Sequence, residues 1–84
     1  MNIVFLPGAF DQYLHWQQND RAVLKKINRL LQECVRHPFE GKGKPEPLRG
    51  DYSGWWSRRI DREHRLVYRV QNGELYIAQC CYHY

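Results

Sequence analysis

Long apolar runs are missing from this chain of 84 residues. The opening run, residues 3–6, is far too short to span a membrane or serve as a signal peptide, so neither is expected. Cysteine is sparse and odd in number. Cys34, Cys80 and Cys81 show no CxxC spacing, and neighbours on a strand point to opposite faces, which disfavours a bond between Cys80 and Cys81. Cys80, Cys81, His64 and His83 fit no familiar zinc spacing, so no metal and no cofactor is expected. The expectation is a reduced, soluble, cytoplasmic protein. Internal repeats and low-complexity segments are also missing, and the length leaves room for one domain, residues 1–84, with a thin core.

What is present is basic and aromatic. Thirteen Lys and Arg stand against nine Asp and Glu, for a formal charge of +4, and 14% of residues are aromatic. Eight of the thirteen cations lie within residues 42–69, where only Glu46, Asp51, Asp61 and Glu63 oppose them. A concentrated positive field of this kind favours an anionic partner. The final residues, Cys81-Tyr82-His83-Tyr84, hold two aromatic rings and an imidazole where a chain end normally frays into small or polar residues. A nearby site is expected to use them.

Periodicity predicts a strand over residues 2–6, ended by Pro7-Gly8. A short helix over residues 9–18 follows, with Phe10, Tyr13, Leu14 and Gln17 at helical spacing. Asp20 is placed to cap a second helix whose stripe is Val23, Leu24, Ile27, Leu30, Leu31 and Cys34, with Lys25, Lys26 and Arg29 on a solvated face. His37-Pro38 ends it, because the residue before proline is pushed out of the helical region. Residues 39–50 read as a loop rich in Gly and Pro. Strands over residues 55–60, 64–70 and 74–82 follow, joined by the turns Asp61-Arg62-Glu63 and Gln71-Asn72-Gly73. The expected fold is α+β, with two N-terminal helices packed on one face of a small antiparallel β-sheet.

In that register Ile60 pairs with His64, and Arg59 lies opposite Arg65. Ser57, Arg59, Arg65, Val67 and Arg69 then share the face away from the core. Directly opposed like charges destabilise a hairpin unless an anion lies between them, and Arg forks match phosphate oxygens. The bland alternative is that Arg59 and Arg65 pair with Asp61 or Glu63 at about 0–1 kcal/mol. His83 joins this face if the second turn spans three residues, which sets Arg65 opposite Gln79. A two-residue Asn72-Gly73 turn brings up Cys80, Tyr82 and Tyr84 instead. Residues 75–78 are apolar on both faces, but Ala78, Cys80 and Tyr82 suit the core side, which favours His83. In the loop, Glu46 stands between Pro45 and Pro47, each with a fixed φ, so its carboxylate is carried stiffly. A carboxylate, an imidazole and clustered guanidinium groups suit transfer at an RNA phosphodiester. Glu46 takes the 2′-hydroxyl proton, Arg65 with Arg59 stabilises the phosphoryl oxygens, and His83 protonates the leaving 5′-oxygen. The other readings are a non-catalytic RNA- or ribosome-binding inhibitor and a structural partner of a DNA-binding protein.

The segments PFEGKGKPEPL, WSRRI and EHRLVY with a terminal YHY are together specific, and further matches run along nearly the whole chain. In these the sequence resembles the Txe/YoeB mRNA interferases, toxins of the RelE/ParE superfamily in bacterial toxin–antitoxin systems. The resemblance implies a microbial-ribonuclease-like fold and cleavage of messenger RNA in the ribosomal A site. It implies Glu46 as general base, Arg65 as transition-state stabiliser, His83 as general acid and Tyr84 as a positioning ring. Lys42, Lys44, Arg49 and Arg59 would grip RNA phosphate. Its partners would be mRNA on the ribosome, a cognate YefM/Phd-type antitoxin that displaces the chain end, and a possible second copy of itself. Residues 6–9 depart from the polar, acidic lead-in usual in that family, so the first helix is expected to start late. Arg49 stands where relatives often have Lys, and Cys81 where they commonly have a basic residue.

Overall fold

The computed structural model describes residues 1–82; His83 and Tyr84 lie outside the described residues. In chain order the elements are β1 (Asn2–Phe5), α1 (Pro7–Asn19), α2 (Arg21–Arg36), β2 (Glu46–Pro47), a 3₁₀ turn (Gly50–Tyr52), β3 (Trp56–Arg59), β4 (Arg65–Gln71) and β5 (Glu74–Gln79). The strands form one sheet in the order β1-β5-β4-β3-β2. Three of its pairings are antiparallel, as expected, while β1 runs parallel to β5 with Ile3 beside Leu75 and Phe5 beside Ile77. Parallel neighbours need a long crossover, and here the two helices and the other strands intervene.

Residues 6–9 do not delay the first helix. Pro7 occupies its first turn, where a missing N–H costs nothing and a fixed φ already suits the helix. Nor is its inner stripe the expected one. Ala9 and Trp16 are buried and Tyr13 packs against the core, whereas Phe10 is 47% exposed. The second helix follows its sequence closely. Ile27, Leu30, Leu31 and Cys34 are buried, Val23 and Leu24 pack beside them, and Lys25, Lys26 and Arg29 are exposed. The Asp20 carboxylate accepts from the Ala22 and Val23 amides at 3.2 Å each. Asp20→Ala should therefore cost about 1 kcal/mol in a denaturant titration.

Both helices lie over one face of the sheet, where Ile60, Leu66, Tyr68, Leu75, Ile77 and Cys80 complete the core. Among these stands Arg58, fully buried and, among the described residues, paired with no carboxylate. Its Nη2 donates to the carbonyls of His37 and Glu40 (2.7 Å to the latter), its Nη1 to the Lys42 carbonyl (2.9 Å), and its Nε to the Tyr68 hydroxyl (3.1 Å). Tyr68 donates in turn to the Pro38 carbonyl at 2.6 Å. The cation thus sits at the carbonyl end of α2, where the helix dipole is negative, and staples the following loop to the sheet. Gly43, at φ +83°, lets the loop come close. A Cβ there would lie 3.1 Å from both Arg58 Cβ and the Arg59 carbonyl oxygen.

Candidate functional site

The loop over residues 39–50 was expected to be irregular, yet it contains β2. Glu46 pairs with Ser57 and Pro47 with Trp56, and the two-residue strand edges the sheet. Proline donates no ladder bond, which suits an edge position and stops further pairing there. Ser57 pairs with Val67, and Val67 with Gln79. Directly paired residues share a face, so Glu46, Ser57, Val67 and Gln79 form one row across four strands, on the side away from the helices. Two pairs along, and so on the same face, Arg59 lies opposite Arg65 as expected, and Arg69 lies on that face two residues beyond Val67. Glu46 and Val67 are two strands apart, about 10 Å between backbones at ordinary strand spacing, with Ser57 between them. Ser57 and Val67 are buried and make the floor; Glu46 and Arg59 are exposed, and Arg65 and Arg69 are half-buried.

The arginines of this face are not neutralised by neighbours. Among the described residues Arg59 and Arg65 form no ion pair with Asp61 or Glu63. The Asp61 carboxylate is instead committed to its own turn, accepting from the Glu63 amide at 2.9 Å and the His64 amide at 2.8 Å. Although burial alone would raise it, those two backbone hydrogen bonds hold its pKa below the usual carboxylate value. Arg65 uses both Nη1 protons on the carbonyls of Asp61 (2.7 Å) and His64 (3.0 Å). That fixes the guanidinium plane, and its Nε and Nη2 edge bonds no described residue, leaving a two-pronged fork for an oxyanion. Arg69 lies over the Trp55 ring at 5.7 Å. Nothing in the resemblance pointed to this pair, though the register placed Arg69 on the face. Trp56, by contrast, packs its ring on Phe39 at 4.7 Å.

Lys42 and Lys44 are exposed and flank Gly43, whose carbonyl accepts from the Arg59 amide at 2.7 Å; the loop cations therefore enter beside Arg59. Arg49 is exposed at the other end of β2, just after Leu48, whose amide bonds the Trp55 carbonyl. Glu46 thus lies between the two cationic ends, and its carboxylate makes no hydrogen bond or ion pair with a described residue. His83 and Tyr84, the remaining candidates, lie outside the described residues.

The second turn differs from the favoured register. It is the two-residue Asn72-Gly73, both at positive φ (53° and 73°), with Gln71 paired to Glu74. A bulge then re-phases the strand. Tyr68 pairs with Ile77 and Val67 with Gln79, so Ala78 is the extra residue. Gln79 lies opposite Val67 rather than Arg65, and Cys80 turns inward and is fully buried, as expected, but by another route. Tyr82 does not join the core; it is 62% exposed at φ +62°, a left-handed conformation that costs an aromatic residue of order 1–3 kcal/mol.

Burial lifts the Cys34 thiol to about 11 and the Cys80 thiol to about 12, and raises Cys81 as well, so none is a ready thiolate at neutrality. Among the described residues no three His, Cys, Asp or Glu side chains gather to hold a metal ion. No helix there is long and apolar enough to cross a membrane.

Fold and face together define a small α+β domain that sets a carboxylate across the sheet from guanidinium groups, none of them ion-paired among the described residues. Residues 5–84 match the family model of the YoeB-like toxin of bacterial type II toxin–antitoxin systems. The sequence is 54% identical to Toxin YoeB of Escherichia coli strain K12 over 84 residues, the whole of both chains. The solved YoeB/ParE toxin from Agrobacterium tumefaciens superposes with a TM-score of 0.96 at 48% identity, covering all of both chains. The Staphylococcus aureus YoeB chain, solved in a YoeB–YefM complex, does so at 0.93 and 49% identity, covering all of this chain and 98% of that one. A YoeB dimer from Staphylococcus aureus gives 0.93 at 50% identity with the same coverage. The chain belongs to the family of YoeB-like toxins of bacterial type II toxin–antitoxin systems.

Proposed function

We propose that this toxin is a metal-independent endoribonuclease that cleaves messenger RNA in the ribosomal A site. Glu46 removes the proton from a 2′-hydroxyl, and the resulting alkoxide attacks the adjacent phosphorus. The free edge of Arg65, with Arg59, binds the phosphoryl oxygens as negative charge gathers on them. His83 protonates the departing 5′-oxygen, with Tyr84 placing the substrate, and the products are a 2′,3′-cyclic phosphate and a 5′-hydroxyl. Lys42, Lys44, Arg49 and Arg59 hold the flanking phosphates. The observation that carries this reading is the cross-sheet row from Glu46 through Ser57 to Val67, with Arg59 opposed to Arg65 two pairs along and neither arginine ion-paired among the described residues.

S. aureus YoeB forms a complex with YefM, which supports a YefM/Phd-type antitoxin as the partner of this chain, and the YoeB dimer from the same species supports a second copy as another. Bound to its antitoxin, the toxin would act in repression of its own operon. Translation of a defined message on purified ribosomes, with mapping of new 5′ ends, tests the enzymatic reading. Cleavage that needs the ribosome, survives chelation and is lost in His83→Gln while ribosome binding persists is the expected result. A His83→Gln variant that still inhibits translation would make the toxin a non-catalytic inhibitor.

A further inference from the structure

After β5 ends at Gln79, residues 80–82 lie in no strand, yet the amides and carbonyls of Cys80 and Tyr82 are held by side chains and by the head of β4. The Cys80 amide donates to Gln12 Oε1 at 2.7 Å, and the Cys80 carbonyl accepts from Trp16 Nε1 at 2.9 Å, both from α1. The Tyr82 carbonyl accepts from the Arg65 amide at 3.0 Å and from Gln79 Nε2 at 3.2 Å. The Tyr82 amide donates to His64 Nδ1 at 2.7 Å.

That last contact assigns the roles of the ring nitrogens. A backbone amide can only donate, so His64 Nδ1 is the acceptor and Nε2 is left to donate. The Nε2 lies 3.5 Å from a Glu63 carboxylate oxygen, which suits that role. The ring is 7% exposed and wedged edge-on between Trp16 (4.7 Å) and Tyr82 (5.2 Å). A ring present only to fill space needs no acceptor aimed at an amide. Tyr82 is the residue to which His83 is covalently attached, and it is held in a left-handed conformation that seldom persists without such partners.

We propose that His64 is a positioning residue for catalysis: its Nδ1 ties the Tyr82 amide, and so the attachment point of His83, to the head of the strand that carries Arg65. This rests on the reaction proposed above. General acid and phosphate-binding arginine are thereby anchored to consecutive residues, His64 and Arg65. A displacement near 1 Å at such a site costs about 10²-fold in rate.

Two measurements on the wild-type chain come first. The ¹⁵N spectrum should show His64 Nδ1 unprotonated, and the Tyr82 amide should exchange about 10²-fold more slowly than an unprotected amide. A protonated Nδ1, or free exchange at Tyr82, overturns the proposal even if every variant fails to fold. In ribosomal cleavage, His64→Leu should lower kcat about 10²-fold with KM within about threefold. His64→Asn, whose carboxamide oxygen takes the place of Nδ1, should recover at least tenfold of that, by about the converse of the same misplacement cost, while His64→Gln should not. Equal activity in the Leu and Asn variants overturns the role of His64 while leaving the cleavage reading intact. A wild-type chain that protects the amide but cuts no message overturns the cleavage reading, and this role with it.

Discussion

Replacing Arg58 by Met should destabilise the domain by about 3–5 kcal/mol. The guanidinium donates to three main-chain carbonyls and one hydroxyl, all within the protein. Methionine fills much the same space with no donor. Each buried acceptor left unmatched costs ~1–3 kcal/mol, and the sum stays below the maximum because the loop can open some of them to water. For a domain of this size each 1 kcal/mol shifts the melting temperature by roughly 4–8 °C, so a fall of well over 10 °C is expected. Lysine should rescue little, since a single ammonium cannot reach three divergent carbonyls. Where the Met variant is still folded, its ribosomal cleavage should also be low. The freed loop carries Lys42 and Lys44 and leads into Glu46. A calorimetric melt within a degree or two of wild type would show that the staple contributes nothing.

The opposite pattern is expected at Glu46. Glu46→Gln should lower kcat for ribosomal cleavage by about 10²–10⁴-fold, the usual contribution of a positioned base. Its stability should change by less than about 0.5 kcal/mol, because the carboxylate is exposed and bonds no described residue. Arg65→Ala should cost about 10²–10³-fold, the range for removing one donor to a developing oxyanion. It should also loosen the hairpin, since the Asp61 carbonyl loses its side-chain donor and the His64 carbonyl one of its donors. The double variant should fall little below the worse single one, because groups acting on one transition state are not additive. Single-turnover rates with saturating ribosomes separate these effects from binding. Full activity in Glu46→Gln would move proton removal to some other group.

Much of the fold was legible because several local signals agreed. For α2, the Asp20 cap, the apolar stripe and the stop at His37-Pro38 all name the same helix. The Asp61 turn fixes the first hairpin, and with it the face bearing Arg59, Arg65 and Arg69. Legibility failed where one residue can re-phase a strand. Ala78 has no side chain large enough to declare itself an insertion, and its neighbours are apolar on both faces. The β1–β5 pairing joins the two ends of the chain, and no local pattern encodes a contact of that separation. Helix α1 misled because a ring at helical spacing, Phe10, is half exposed, while Gln12 and Trp16 turn inward to hold the Cys80 backbone. Arg58 was placed on the core side by parity alone. Its staple was invisible, since its acceptors are main-chain oxygens and leave no mark in the sequence. Of the candidate site, Glu46 and the arginines were legible from motif and register, whereas His64 went unnoticed because a buried imidazole carries no signature beyond its own letter.

The sheet is a single layer with the apolar interior on one side and the charged row on the other. A mutation that silences Glu46 therefore leaves the folding half of the molecule untouched. Such a chain would keep its shape and every surface away from that row. Loss of the charged row and loss of the fold are separable in this architecture.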